Sequence, residues 1–135
     1  MRFEINITPN QEDIEYLTDK INQESMEFGS TYNFGLFLRD EKNNIIAGCN
    51  GSVIYGCIYT DQLWVDHDRR NKDLGRQLME AIENYGIENG CKMATVTTMS
   101  FQKARQFYEK LGYTVDFKRK GYIMNTSVIF LKKLL

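Results

Sequence analysis

Two segments of this 135-residue chain carry residue types at spacings suited to chemistry. In the first, the apolar run Leu63-Trp64-Val65 leads into the basic, glycine-bearing loop Arg70-Asn71-Lys72-Asp73-Leu74-Gly75-Arg76, which opens a helical pattern. A helix start presents unpaired amides and the positive end of the macrodipole, so such a loop can cradle an anion such as a pyrophosphate. On spacing alone it is equally an ordinary solvated turn. The second segment is Ala104 with Phe107-Tyr108-Glu109-Lys110-Leu111-Gly112-Tyr113. Its apolar residues recur at helical spacing, and Tyr108 is either a packed aromatic or a phenol able to give up a proton. Asp61 shares a strand face with Leu63 and offers a carboxylate, either solvated or able to take a proton from an amine through water. His67 reads more readily as a loop residue than as a base, although it alone titrates near neutrality.

Composition removes several other chemistries. The 17 basic and 18 acidic side chains give a formal charge of -1, and the pI is about 5.9, which argues against a protein built to grip a phosphate backbone. With one histidine, a zinc site of the usual spacing cannot be assembled, and a Ser-His-Asp triad would have to run through His67 with no Gly-x-Ser-x-Gly elbow present. Cys49, Cys57 and Cys91 are odd in number and form no Cys-x-x-Cys pair, so buried free thiols are expected rather than a disulfide framework. Lys118-Arg119-Lys120 reads as a charged turn. No membrane-length apolar run or secretory signal is visible, and a cytoplasmic protein is the expectation.

The elements that position the two segments follow one another closely, in a single domain spanning 1–135. A chain of this length buries roughly 70% of the surface that its unfolded form exposes, enough for one core without staples. Alternation predicts a first strand over Phe3 to Ile7. A helix follows, with Thr8 as cap, Pro9 at its first position and Gln11 at capping-box spacing, burying Ile14, Leu17 and Ile21. Strands are expected at Phe34 to Arg39, Ile45 to Ile54 and Ile58 to Val65, the first two joined through Asp40 to Asn44. The loop from Asp66 to Asp73 then opens a helix marked by Leu74, Leu78, Ile82 and Tyr85 and ended by Gly90. Met93 to Met99 has the composition of a covered parallel strand. After the helix carrying Tyr108, Gly112 is the stop, and strands Tyr113 to Arg119 and Ser127 to Leu131 turn around Lys120-Gly121. The expected class is α/β, a mixed (α+β) sheet with helices on its faces.

Taken together, the two segments resemble the paired signatures of the GNAT superfamily of acetyl-CoA-dependent N-acetyltransferases. The resemblance is specific from Leu63 to Leu135 and weak before that. It implies a GNAT-like fold: a mostly antiparallel central sheet, splayed between the fourth and fifth expected strands, with helices on both faces. It further implies that Arg70 to Gly75 occupy the family's pyrophosphate-binding Arg/Gln-x-x-Gly-x-Gly/Ala pattern. Asn71 and Asp73 stand where glycine is usual, and both tolerate the left-handed backbone that glycine provides. Asp73 either caps the helix with its carboxylate or repels the phosphates, which Arg70, Lys72 and Arg76 must outweigh. Phe101 replaces a frequent asparagine, with Gln102 beside it as a substitute contact.

By the same resemblance the backbone of Leu63, Trp64 and Val65 pairs with the pantetheine arm. Leu74, Ala104 and Phe107 line the cofactor site, and an amide near Val65 steadies the oxyanion. Tyr108 is then the general acid and Asp61 a second catalytic candidate. Glu24, Glu27, Phe28, Tyr32 and Trp64 are candidates for an acceptor pocket. The implied activity is direct transfer of acetyl from acetyl-CoA to an amine of a small molecule or peptide, with no metal, nucleic acid or membrane involved and a homodimer left open. The alternatives are a non-catalytic acyl-CoA-binding or regulatory module of the same fold, and a small interaction domain without cofactor.

Overall fold

The computed structural model describes residues 1–135. Its order is α1 (Gln11–Glu24), β1 (Tyr32–Arg39), β2 (Ile45–Ile54), β3 (Cys57–Val65), α2 (Leu74–Glu88), β4 (Met93–Met99), α3 (Ala104–Lys110), β5 (Thr114–Tyr122) and β6 (Thr126–Leu134), with short 3-10 turns between some of them. The six strands form one sheet in the order β1-β2-β3-β4-β6-β5. All neighbours are antiparallel except β3 and β4, which are joined by the α2 crossover and run parallel. No helix is long and apolar enough to cross a membrane.

The core lies between this sheet and α2. Ala47, Cys49, Val53, Ile58, Ala94, Val96, Ile129 and Leu131 supply the sheet side, and Leu78, Met79 and Ile82 the helix side, joined by Tyr108 and Tyr113. The helix-spaced apolar positions of α2 thus face inward as the sequence predicts, with Met79 an addition and Tyr85 nearer the rim. Glu83 is buried on the same face, where Lys133 of β6 pairs with it. Gly86 sits where a Cβ would come within 2.8 Å of Ile58, so the small residue sets how closely α2 approaches β3.

The amino-terminal third departs from expectation. Phe3 to Ile7 forms no strand; Phe3, Ile5 and Ile7 are almost fully exposed and no other segment pairs with them. Alternation describes a strand only when a neighbour completes its hydrogen bonds, and here none does. Helix α1 is capped by Asn10, whose Oδ1 accepts the Glu12 amide at 3.0 Å, so Thr8 and Pro9 precede the helix rather than opening it. Ile14, Leu17 and Ile21 do share a face, but α1 buries none of its side chains. The helix is tied down at its end, where Asn22 exchanges hydrogen bonds with the Thr31 backbone at 2.8 and 3.0 Å. At the carboxyl end, β5 extends to Tyr122 and the chain reverses through Ile123–Asn125 rather than at Lys120-Gly121.

Candidate active site

The sheet opens where the chemistry-bearing segments meet. β3 and β4 are paired from Cys57↔Met93 to Thr60↔Val96 and no further, whereas β4 stays paired with β6 as far as Met99. A bulge in β3 sits at the same point: Gly51 opposes Thr60, Asn50 opposes Gln62, and Asp61 is left between them. Bulges bend and twist a strand, and this one turns the end of β3 away from β4. Counted with the absent first strand, this is the splay between the fourth and fifth expected strands. It leaves one edge of Gln62–Val65 without a partner strand, with only the Val65 carbonyl engaged, by Arg70 Nε. The Asp66 amide bonds the Ile46 carbonyl at 2.8 Å, so Trp64 also faces β2, and the main-chain groups of Leu63 and Val65 face the gap.

A cleft of about 780 Å³ runs from this edge between the start of α2 and the length of α3. Of the residues singled out in the sequence, Leu63, Trp64, Val65, Arg70, Asn71, Asp73, Leu74, Gly75, Arg76, Ala104, Phe107 and Tyr108 line it. Lys72 and Gln102 do not. Gln102 turns inward, its Oε1 accepting from the Thr98 hydroxyl at 3.0 Å and the Met99 amide at 2.9 Å. Asp61 lies outside this cleft, in a separate hollow. Of the suggested acceptor residues only Trp64 reaches the cleft; Tyr32 hydrogen-bonds Asn89 at 2.9 Å, and Glu24, Glu27 and Phe28 lie at and beyond the end of α1.

Five cleft residues were not singled out from sequence: Arg69, Lys103, Gln106, Lys110 and Leu111. Lys103, Gln106 and Lys110 fall at i, i+3 and i+7, one face of α3, and that periodicity was the available signal. With Arg69 and Arg70, Lys103 and Lys110 make the cleft's lining basic.

Backbone geometry at the loop accounts for the two replaced glycines. Asn71 and Asp73 both adopt left-handed conformations, φ 61° and 68°, of the kind glycine takes without cost and Asn or Asp with little. Gly75 lies against the Phe107 ring, where a Cβ would stand 3.2 Å from ring carbons, so a larger residue would press that ring aside. The Asp73 side chain makes no cap to α2. It pairs with Arg76, whose guanidinium also meets Glu80 at 2.5 Å. That hydrogen bond holds the Asp73 carboxyl below its usual range. Arg76 is thereby engaged by two carboxylates, and the uncommitted positive charge belongs to Arg69, Lys103 and Lys110, with Arg70 sharing its Nε with the Val65 carbonyl at 3.0 Å.

Tyr108 reaches the cleft from below, only 6% exposed. Its ring packs edge-on against Phe107 at 5.2 Å and Tyr113 at 5.7 Å, which fixes its direction. Burial first, then the neighbouring Cys49 and Tyr59, push its hydroxyl up to about 12, so it carries its proton throughout the neutral range. Tyr113 is buried deeper, and its hydroxyl meets no partner.

Known proteins resemble this chain in sequence and in fold. The sequence profile described as the acetyltransferase (GNAT) family matches residues 4–113. The chain is 32% identical to a blasticidin-S acetyltransferase of Streptomyces morookaense over 111 residues, covering 81% of this chain and 77% of the relative. A crystal structure of an acetyltransferase from Bacillus cereus superposes with a TM-score of 0.74 at 27% identity, covering 98% of each chain. A Bacillus anthracis protein solved in complex with acetyl coenzyme A shares the fold at TM-score 0.69 and 17% identity, covering 76% of this chain and 62% of that one. The chain belongs to the GNAT family of acetyltransferases.

Proposed function

We propose that the protein transfers acetyl from acetyl-CoA directly to an amine of a small molecule or peptide. The observation that carries this reading is one basic cleft lined both by the unpaired edge of Leu63 and Val65 and by Tyr108. The residues present fit the cofactor. Left-handed backbone at Asn71 and Asp73 followed by a helix start makes an anion-binding concavity, and Arg69, Arg70, Lys103 and Lys110 supply charge for phosphates. The edge of β3 offers strand-like hydrogen bonds to the amides of the pantetheine arm.

Bound there, acetyl-CoA supplies an activated acetyl thioester. The Val65 amide, free on the gap side, is the donor that steadies negative charge developing on the thioester oxygen, in a cleft where preorganised donors act strongly. The neutral amine attacks the thioester carbon, the carbon–sulfur bond breaks with the Tyr108 hydroxyl hydrogen-bonding the departing sulfur, and the amine's proton is lost to solvent, from which the thiolate is protonated. Transfer is direct, with no cysteine placed as an acyl carrier: none of the three lines the cleft, Cys49 and Cys91 are buried, burial raises the Cys49 thiol to about 11, and Cys57 Sγ lies 3.4 Å from Thr95 Oγ1. The blasticidin-S acetyltransferase relative points to small amines as acceptors.

The test is to incubate the protein with acetyl-CoA and a panel of small amines and short peptides, following free thiol and the mass of the acceptor. Thiol release that depends on an amine, with a matching acetylated product, is expected. Tight acetyl-CoA binding with no thiol release from any amine would support a binding module instead, a reading that the engagement of Arg76 by Asp73 and Glu80 keeps in play.

A further inference from the structure

A hollow of about 250 Å³ is walled by Asn33, Asn50, Ser52, Tyr59 and Asp61 on the sheet face opposite α2, and by Gly51 and Phe34, whose ring packs on Tyr85 of α2. Strand alternation explains its polarity. Cys49, Val53, Ile58 and Thr60 are buried toward α2, so Asn50, Ser52 and Tyr59 project the other way. The register sets Asn33 opposite Ser52 and Ser52 opposite Tyr59, a polar row across β1, β2 and β3. The bulge then adds Asp61 to the row. Asn50 and Gln62 fasten it: the Asn50 amide donates to Gln62 Oε1 at 2.9 Å, and the Gln62 backbone amide donates to Asn50 Oδ1 at 3.0 Å. Gly51 is required at this crossing, since a Cβ there would fall 1.8 Å from the Tyr59 carbonyl oxygen.

The hollow adjoins the vertex of the splay. The Tyr59 hydroxyl lies 3.3 Å from Asp61 Oδ1 and 3.5 Å from Thr97 Oγ1, and Thr97 follows Val96, the last β4 residue paired with β3. Asp61 is the only acidic or basic side chain in the lining, is exposed, and pairs with no basic side chain.

We infer that this hollow seats the acceptor and selects a compact, hydroxylated amine bearing a second positive charge, which Asp61 holds while the neutral amine enters the splay. The inference rests on the acetyl-transfer reading above. A single unpaired carboxylate among amides and hydroxyls attracts a cation and repels an acceptor carrying its own carboxylate. Asn33 and Ser52, with no side-chain hydrogen bonds of their own, are left to bond acceptor hydroxyls. The volume is that of about eight waters at roughly 30 Å³ each, room for one ring or a short chain and not for a folded partner.

Diaminopropanol and aminopropanol differ by one ammonium group and serve as probes. The wild-type protein should favour the diamine by about fivefold in kcat/KM, the upper range for an exposed ion pair. Asp61→Asn should bring the two amines to parity while leaving the acetyl-CoA dissociation constant unchanged. No preference in the wild type, or an equal loss of kcat for both amines in Asp61→Asn, overturns the assignment; the second result would make Asp61 a proton acceptor. Titration of diaminopropanol followed by backbone amide NMR gives a readout without turnover. Shifts at Asn33, Ser52 and Tyr59 that vanish in Asp61→Asn support the seat, and their absence from the wild type overturns it. Such shifts without thiol release would refute the acetyl-transfer reading alone.

Discussion

Removing the Tyr108 hydroxyl separates two ways in which a phenol can assist a leaving thiolate. Tyr108→Phe keeps the ring, its edge-on contacts with Phe107 and Tyr113 and its place in the core, so the melting temperature should stay near wild type. A thiol has an ordinary pKa of about 8.5, whereas burial holds the Tyr108 hydroxyl at about 12. Complete proton transfer from this phenol to a free thiolate is therefore uphill by about 3.5 units, or roughly 5 kcal/mol at about 1.4 kcal/mol per unit. Tyr108 then acts chiefly as a hydrogen-bond donor to the sulfur as charge develops. Hydrogen bonds to charged groups contribute about 1.5–3 kcal/mol, which corresponds to a loss of about 10- to 150-fold in kcat. Acetyl-CoA affinity, measured by calorimetry, should be unchanged. The kcat profile of the wild type should show no falling limb from this group between about pH 7 and pH 10. Full turnover by Tyr108→Phe refutes the assignment. A falling limb near pH 9 to 10 that disappears in Tyr108→Phe would contradict the elevated hydroxyl.

Tyr113 is the control: Tyr113→Phe deletes a buried hydroxyl without a partner, so stability at neutral pH should be unchanged or slightly raised and turnover retained. Burial raises the Tyr113 hydroxyl above its unfolded value of about 10, so its contribution is present below that pH and is lost as pH climbs beyond it. Melting temperature against pH should therefore fall above about pH 10 in the wild type and fall less steeply in Tyr113→Phe. Lys133→Ala strands the buried Glu83 carboxylate and should cost about 3–5 kcal/mol in a urea titration, whereas Glu83→Gln in the same background should restore part of it. Asp73→Asn keeps a residue tolerant of the left-handed backbone while releasing Arg76 and removing a negative charge; acetyl-CoA should bind several-fold more tightly at low salt, and weaker binding would contradict the pairing argument.

The cleft proposed for the cofactor was largely legible because its parts are local. A helix start, a basic loop and a tyrosine at helical spacing are written in contiguous residues, and Leu63, Arg70, Gly75 and Tyr108 converge as the motifs imply. What could not be read depends on pairing between distant strands. The position of Asp61 follows from a bulge opposite Asn50 and Gly51, and no pattern within β3 marks it. The same limit explains Phe3 to Ile7, whose alternation is regular but has no partner strand, and α1, whose apolar stripe is genuine but is not buried. Asp73 shows a subtler case. Its spacing to Arg76 allows a pair on the same helix face, but sequence does not say whether the side chain turns to that pair, to the helix amides or to the ligand.

Amide hydrogen exchange, resolved to single residues with and without acetyl-CoA, tests the central claim most directly. The gap-facing amides of Leu63 and Val65 are unpaired and should exchange rapidly in the free protein. Acetyl-CoA should slow both, together with the amides at the start of α2 from Leu74 to Arg76, while the exchange of β1 is unchanged. Unaltered exchange at Leu63 and Val65 under saturating acetyl-CoA, or protection confined to another surface, would contradict the assignment of this cleft as the cofactor site.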